Sequence, residues 1–203
     1  MLILNSLRPL MGIWKIDEPW QEMLKYTKNA NMPEMQLDRR KQEWLAVRLL
    51  LKYILNSDVV VDYYENGAPF LPNSRYKISI SHTKGFVAVI LCEDSNPGLD
   101  IEYHSVRAWK LRNKYMSENE MEMFASLNNA ECISLATICW CAKETAYKSL
   151  LQNGVDFIEH LHISPFVLSN EGEIFLKEIK TIQQQVFRIQ YQVTDDYIIA
   201  WRT

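Results

Sequence analysis

The 203 residues carry 22 Lys and Arg against 25 Asp and Glu, a net charge of −3. That balance argues against a nucleic-acid binder, which usually shows a basic excess, while 48% apolar and 23% charged residues are ordinary for a folded protein. No apolar run reaches membrane-spanning length, and Cys92, Cys132, Cys139 and Cys141 lack metal-ribbon or C-x-x-C spacing. Reduced thiols, a cytoplasmic location and no membrane partner are therefore the expectation.

The start, Met1 to Trp14, is apolar but interrupted by Arg8 and Pro9, and does not read as a signal peptide. Gly12 to Ile16 is a strand candidate. Glu18 to Thr27 is a helix candidate with Pro19 in its first turn. Asn29 to Pro33 reads as a loop. Gln36 to Leu55 lacks Gly and Pro, carries Leu45, Leu49 and Ile54 on one stripe, and predicts a helix. Its charges, Arg39, Arg40, Lys41 and Arg48, suit a solvated face or an anion site. Val59 to Tyr64 is β-branched and aromatic, hence a strand, and Asn66 to Pro69 a turn.

Lys77 to Ser81 and Phe86 to Glu93 read as a hairpin joined by His82-Thr83-Lys84-Gly85, a polar connection able to offer donors to a phosphate. After loop chemistry at Asp94 to Pro97 comes a strand, Gly98 to Tyr103. Asp100 and Glu102 alternate there with Leu99, Ile101 and Tyr103, so both carboxylates share one strand face. Paired like charges are costly unless a cation sits between them. Val106 to Met116 is a basic, partly amphipathic segment, and Ser117 to Glu120 a capping box. Ala130 to Leu151 reads as a buried helix. On it Trp140, Glu144 and Lys148 share one stripe, while Cys139, Ala142, Ala146 and Leu150 lie on another side. Four further strands are predicted at His162 to Leu168, Glu173 to Ile179, Gln185 to Val193 and Tyr197 to Trp201. The pattern is that of an α+β chain in two halves, 1–96 and 97–203, the second carrying the carboxylates.

Two strand carboxylates followed about forty residues later by a helical E-x-x-x-K suggest Mg²⁺-assisted phosphoryl transfer, with Asp100, Glu102 and Glu144 as metal ligands and Lys148 a helical turn away. In these residues the sequence resembles the 4′-phosphopantetheinyl transferases of the larger, surfactin-synthetase-activating type. The family's "G-[IV]-D-[IV]-E" strand is matched by Gly98-Leu99-Asp100-Ile101-Glu102. Its "W-[SCA]-x-K-E-[SA]-x-x-K" helix is matched by Trp140 to Lys148. An upstream "N-[IV]-S-H-[ST]" turn is matched by Ser79 to Thr83, and a basic helix by Arg40, Ala46 and Arg48.

The resemblance implies an α+β fold of two similar halves about a pseudo-twofold axis, with coenzyme A between them. It implies a holo-[acyl-carrier-protein] synthase type enzyme. Such an enzyme moves phosphopantetheine from coenzyme A, the co-substrate, to a serine of an apo acyl or peptidyl carrier protein and releases adenosine 3′,5′-bisphosphate. Asp100, Glu102 and Glu144 would hold Mg²⁺. Glu144 would help deprotonate the serine, and Lys148 would stabilise the pyrophosphate or protonate the leaving oxygen. Ser81 and His82 would contact coenzyme A phosphates, with Arg40 and Arg48 near the adenosine end. A monomer and no nucleic-acid partner are expected. The family's turn lysine is missing here, where Ala68 stands between Gly67 and Pro69; Arg75 or Lys77 could substitute. Two alternatives stay open: a Mg²⁺-dependent nuclease or phosphohydrolase, and a coenzyme A binding domain without turnover.

Overall fold

The computed structural model describes residues 2–7, 9–27 and 32–203. The loop expected at Asn29 to Pro33 therefore lies largely outside the described residues, as does Arg8. The chain divides into two compact units, Met1–Pro97 with Thr203, and Gly98–Arg202. Both mix helix and strand, so the chain is α+β.

In the first unit, β1 (Leu2–Leu7) and β2 (Leu10–Lys15) form a hairpin, followed by α1 (Trp20–Leu24), α2 (Asp38–Leu55), β3 (Asp62–Tyr63), β4 (Pro69–Phe70), β5 (Lys77–Thr83) and β6 (Phe86–Cys92). The antiparallel sheet runs β1-β2-β6-β5. The apolar stripe of α2 covers it: Leu45, Leu50 and Leu51 are fully buried with Val87, Val89 and Leu91 of β6. Burying such side chains contributes roughly 1.5–3 kcal/mol each.

Three local expectations change here. His82 and Thr83 belong to β5, and the turn is Lys84-Gly85 alone, with Gly85 at φ +79° supplying the positive φ of a two-residue hairpin turn. The strand expected at Val59 to Tyr64 shrinks to Asp62–Tyr63. Val60 is 70% exposed, and among the described residues the strand pairs only with the two-residue β4, whose Pro69 has no N–H to donate. The helix expected from Glu18 covers only Trp20–Leu24.

In the second unit, β7 (Gly98–Tyr103) leads to α3 (Arg107–Leu111), a 3-10 turn at Arg112–Lys114, α4 (Glu118–Met121), α5 (Asn129–Leu150) and α6 (Phe157–His160). Then come β8 (Leu161–Ile163), β9 (Glu171–Glu178), β10 (Val186–Val193) and β11 (Tyr197–Arg202), in a sheet ordered β7-β11-β10-β9-β8. The capping box at Ser117 is present, with Glu120 returning to the Ser117 N–H. A second one, Asn128 with Glu131, opens α5. The basic segment is broken into α3 and the 3-10 turn, and the strand expected from His162 to Leu168 ends at Ile163 because Pro165 cannot extend a ladder.

Helix α5 lies on the sheet with Ile138, Cys139, Cys141, Ala142 and Ala146 fully buried against Leu176, Ile189, Ile198 and Ala200. Among the described residues no helix is long and apolar enough to cross a membrane.

Candidate functional site

The second unit brings β7 and α5 into close contact at Gly98. A Cβ built there would stand 2.1 Å from the Thr145 carbonyl oxygen and 2.4 Å from Ser149 Oγ, so only a residue without one lets the strand press onto the helix. Two residues on, Asp100 is buried at 5% exposure. From α5, Lys148 Nζ donates to Asp100 Oδ1 at 2.7 Å and to the Leu99 carbonyl at 2.9 Å. Glu102 follows on the same strand face, half-buried like Glu144 and Lys148.

Glu144 lies one turn before Lys148. Burial, then the charges of Asp100 and Glu102, push its carboxyl pKa up to about 7, against the opposing pull of Lys148. The four side chains singled out by spacing thus act on one another electrostatically. Cys141, fully buried beneath them on α5, has its thiol pKa pushed up by burial and by Asp100 and Glu102.

Among the described residues no three His, Cys, Asp or Glu side chains converge as a metal cage. The donor set is nevertheless all carboxylate oxygen, which suits a hard cation. Mg²⁺ is usually held by one or two carboxylates together with waters and substrate phosphates, so the residues fit it without an all-protein cage.

The first unit holds a cleft of about 640 Å³ lined by Arg40, Glu43, Trp44, Arg48, Tyr63 and His82 among others. Arg48 stacks on the Trp44 ring, 3.4 Å from its centroid, and donates to the Trp44 carbonyl at 3.1 Å. Its pKa is drawn below the usual guanidinium value by burial, with Tyr63 opposing. Arg40 Nη1 is 3.4 Å from His82 Nε2. Arg40, Arg48 and His82 therefore share one cleft. Ser81 alternates to the other strand face, is buried, and does not line it.

Two residues escaped the sequence reading. Glu43, 3% exposed, sits among the arginines of the cleft; its place three and four residues after Arg40 and Arg39 was the available signal. Lys143 is fully buried next to Glu144. The signal was its position between Cys139 and Ala146 on the apolar stripe. The other three histidines have local contacts: His104 Nε2 lies 2.6 Å from the Thr194 carbonyl, His160 Nδ1 accepts from the Asp156 N–H at 2.8 Å, and His162 Nε2 lies 3.1 Å from the Glu159 carbonyl.

Comparison with known proteins adds a family. Residues 96–202 match the family model "4'-phosphopantetheinyl transferase superfamily", which is more than half of the chain. The chain is also similar to proteins named 4'-phosphopantetheinyl transferase AcpT from Escherichia coli O157:H7 and from Escherichia coli strain K12. Each is 30% identical over 112 residues, 54% of this chain and 57% of the relative. The chain thus spans about half the length of the curated relatives it matches.

Proposed function

The chain belongs to the 4′-phosphopantetheinyl transferase superfamily, and we propose that it transfers the 4′-phosphopantetheine arm of coenzyme A to a serine of an apo acyl or peptidyl carrier protein, as a holo-[acyl-carrier-protein] synthase type enzyme. The observation that carries this reading is the meeting of Lys148 with Asp100 at 2.7 Å, with Glu144 in the field of both. A base, a cation and clustered carboxylates are what attack of a hydroxyl on a pyrophosphate needs. Each unit, a long helix on an antiparallel sheet, is read as one of two similar halves.

In the reaction the serine oxygen bonds to the phosphorus bearing pantetheine. The bond from that phosphorus to the bridging oxygen breaks, and adenosine 3′,5′-bisphosphate leaves with the bonding pair. Glu144, directly or through a water, takes the serine proton. The Lys148 ammonium faces the charge gathering on the bridging oxygen and can return a proton to it. Asp100 holds that ammonium in place. When bound by Asp100, Glu102 and Glu144, Mg²⁺ would offset the charge of the pyrophosphate.

In the first unit, Arg40, Arg48 and His82 are the groups for the phosphates at the adenosine end. Guanidinium forks suit phosphate oxygens, and Trp44 and Tyr63 supply aromatic wall. The carrier is read as docking on α3 and the following turn, where Arg107, Lys110 and Lys114 are exposed and Arg112 stacks on Trp109 at 3.7 Å. Such charges mainly speed encounter with an acidic partner.

The test is mass spectrometry of apo carriers incubated with the protein, coenzyme A and Mg²⁺. A mass gain of one phosphopantetheine arm is expected. No gain on any acyl or peptidyl carrier, or hydrolysis of coenzyme A without a carrier, would remove the reading.

A further inference from the structure

We infer that Glu43 is a positioning residue for anion binding: its buried carboxylate sets where Arg40 and His82 stand in the cleft of the first unit. The inference rests on the coenzyme A reading above and deepens it.

The two carboxylate oxygens divide their work. Oε1 accepts from Arg39 Nε at 2.7 Å on the flank of α2. Oε2 accepts from Arg40 Nη1 at 3.1 Å and lies 3.6 Å from His82 Nδ1. Arg40 and His82 keep 54% and 38% of their side chains exposed, whereas the Glu43 side chain keeps 4%. The carboxylate thus sits behind both side chains, His82 Nε2 in turn lies 3.4 Å from Arg40 Nη1, and each side chain keeps part of its surface exposed.

Local energetics do not account for this arrangement. Arg39 and Arg40 occupy the first turn of α2, where the helix dipole favours acids. An arginine four residues before a glutamate is also the weaker order for a helical ion pair. A nearly buried carboxylate is costly unless fully engaged. Its negative charge should moreover repel a phosphate entering the same cleft. A carboxylate kept there against these effects is explained by orientation: it fixes a long arginine side chain and a histidine ring before the ligand arrives, so that less freedom is lost on binding.

The two accounts of Glu43 differ in sign. If its charge alone mattered, removing it would tighten anion binding. If it positions Arg40 and His82, removing it loosens binding. The experiment is calorimetric titration of the full chain with adenosine 3′,5′-bisphosphate and with coenzyme A, alongside thermal melts by circular dichroism. Glu43→Gln is expected to weaken both probes by about tenfold, the size of one charge-assisted hydrogen bond. Glu43→Asp, which keeps the charge but draws it back from Arg40, should weaken them too, and it carries the test should Glu43→Gln fail to fold. In an Arg40→Ala background, Glu43→Gln should add less than about twofold, because a residue acting through another loses its effect when that other is gone. Unchanged or tighter binding in both variants, or losses that simply add, overturn the role of Glu43 while leaving the coenzyme A reading intact. A wild-type chain that binds neither probe overturns both.

Discussion

Helix α5 carries two lysine–carboxylate pairs, and they are opposites. Lys143 is fully buried and its ammonium is saturated: Nζ donates to Glu120 Oε2 at 2.7 Å, to the Tyr115 carbonyl at 2.7 Å and to the Phe157 carbonyl at 2.9 Å. Glu120 is equally engaged, accepting from the N–H groups of Ser117 and Ile163, each at 2.8 Å. Lys148, five residues on and about 140° around the helix, keeps 26% of its side chain exposed and holds Asp100. Both pairs have N–O distances of 2.7 Å. Burial separates them. The Lys143 pair ties α5 to α4, α6 and β8 and has no room for another molecule. The Lys148 pair stands beside Glu144 with solvent access, where a substrate oxygen can compete for the ammonium. Distance alone does not separate the two pairs; the burial of the ammonium and the number of acceptors around it do.

The comparison can be broken most sharply at Lys143. Lys143→Met leaves Glu120 buried without its cation and should cost roughly 3–5 kcal/mol of stability. Urea unfolding should show this as a lower midpoint, with activity per folded molecule little changed. A fall in specific activity of the folded fraction larger than the loss of stability would make Lys143 part of the working site. Lys148→Ala should do the reverse. Turnover is expected to fall about 10²–10³-fold, roughly 3–4 kcal/mol, exceeding the roughly 1–3 kcal/mol of stability lost when buried Asp100 gives up its partner. Equal carrier turnover by Lys148→Ala would reduce that pair to another structural tie.

A third expectation concerns pH. Because the Glu144 carboxyl is pushed from 4.5 up to about 7, the folded chain between those values holds a proton that the unfolded chain has released. Its contribution to stability therefore falls as pH rises from 4.5 to 7. Without added metal, Glu144→Gln should remove this slope and melt a few degrees above wild type at pH 7.5, a gain of roughly 1–3 kcal/mol after allowing for partial exposure. The same variant should be nearly inactive. Parallel melting-against-pH profiles for the two proteins would show that Glu144 does not titrate in this window. The smallest effect is expected at the basic segment of α3 and the turn after it, proposed above to dock the carrier. Charge reversal at Lys110 and Arg112 should raise the carrier's KM several-fold and leave coenzyme A affinity alone, a salt-dependent effect; an unchanged KM would move the docking surface elsewhere.

Much of the second unit is legible in the sequence because its signals are periodic. The alternation at Gly98 to Tyr103 gives β7 residue for residue, and the uninterrupted apolar run gives α5 to within a residue at each end. The meeting of Asp100 with Lys148 is suggested by motif order, but nothing periodic says that the ammonium binds the strand carboxylate and the Leu99 carbonyl. Lys143 is fully buried among the apolar neighbours that helical spacing gives it, Cys139 and Ala146, and motif order alone carries no sign of that. In the first unit, Val59 to Tyr64 has strand composition, yet a strand requires a neighbour to pair with, which no local pattern supplies. His82 was placed in a turn because polar residues suggest one. Hairpin register instead carries β5 through Thr83 to the single glycine at 85 that can take the turn.

The close approach at Gly98 bears on how this protein can change. With the Thr145 carbonyl oxygen and carbon 2.1 and 2.9 Å from where a methyl group would stand, the gap between strand and helix is set by main chain against main chain, which cannot shift rotamers to make room. Neighbours such as Leu99 and Ile101, packed by side chains, can exchange for other apolar shapes of similar volume at modest cost. Position 98 has one permissible letter. In a saturation library selected for carrier modification, the alphabet should be broad at 99 and 101 and collapse at 98, although residue 98 supplies no atom to the chemistry.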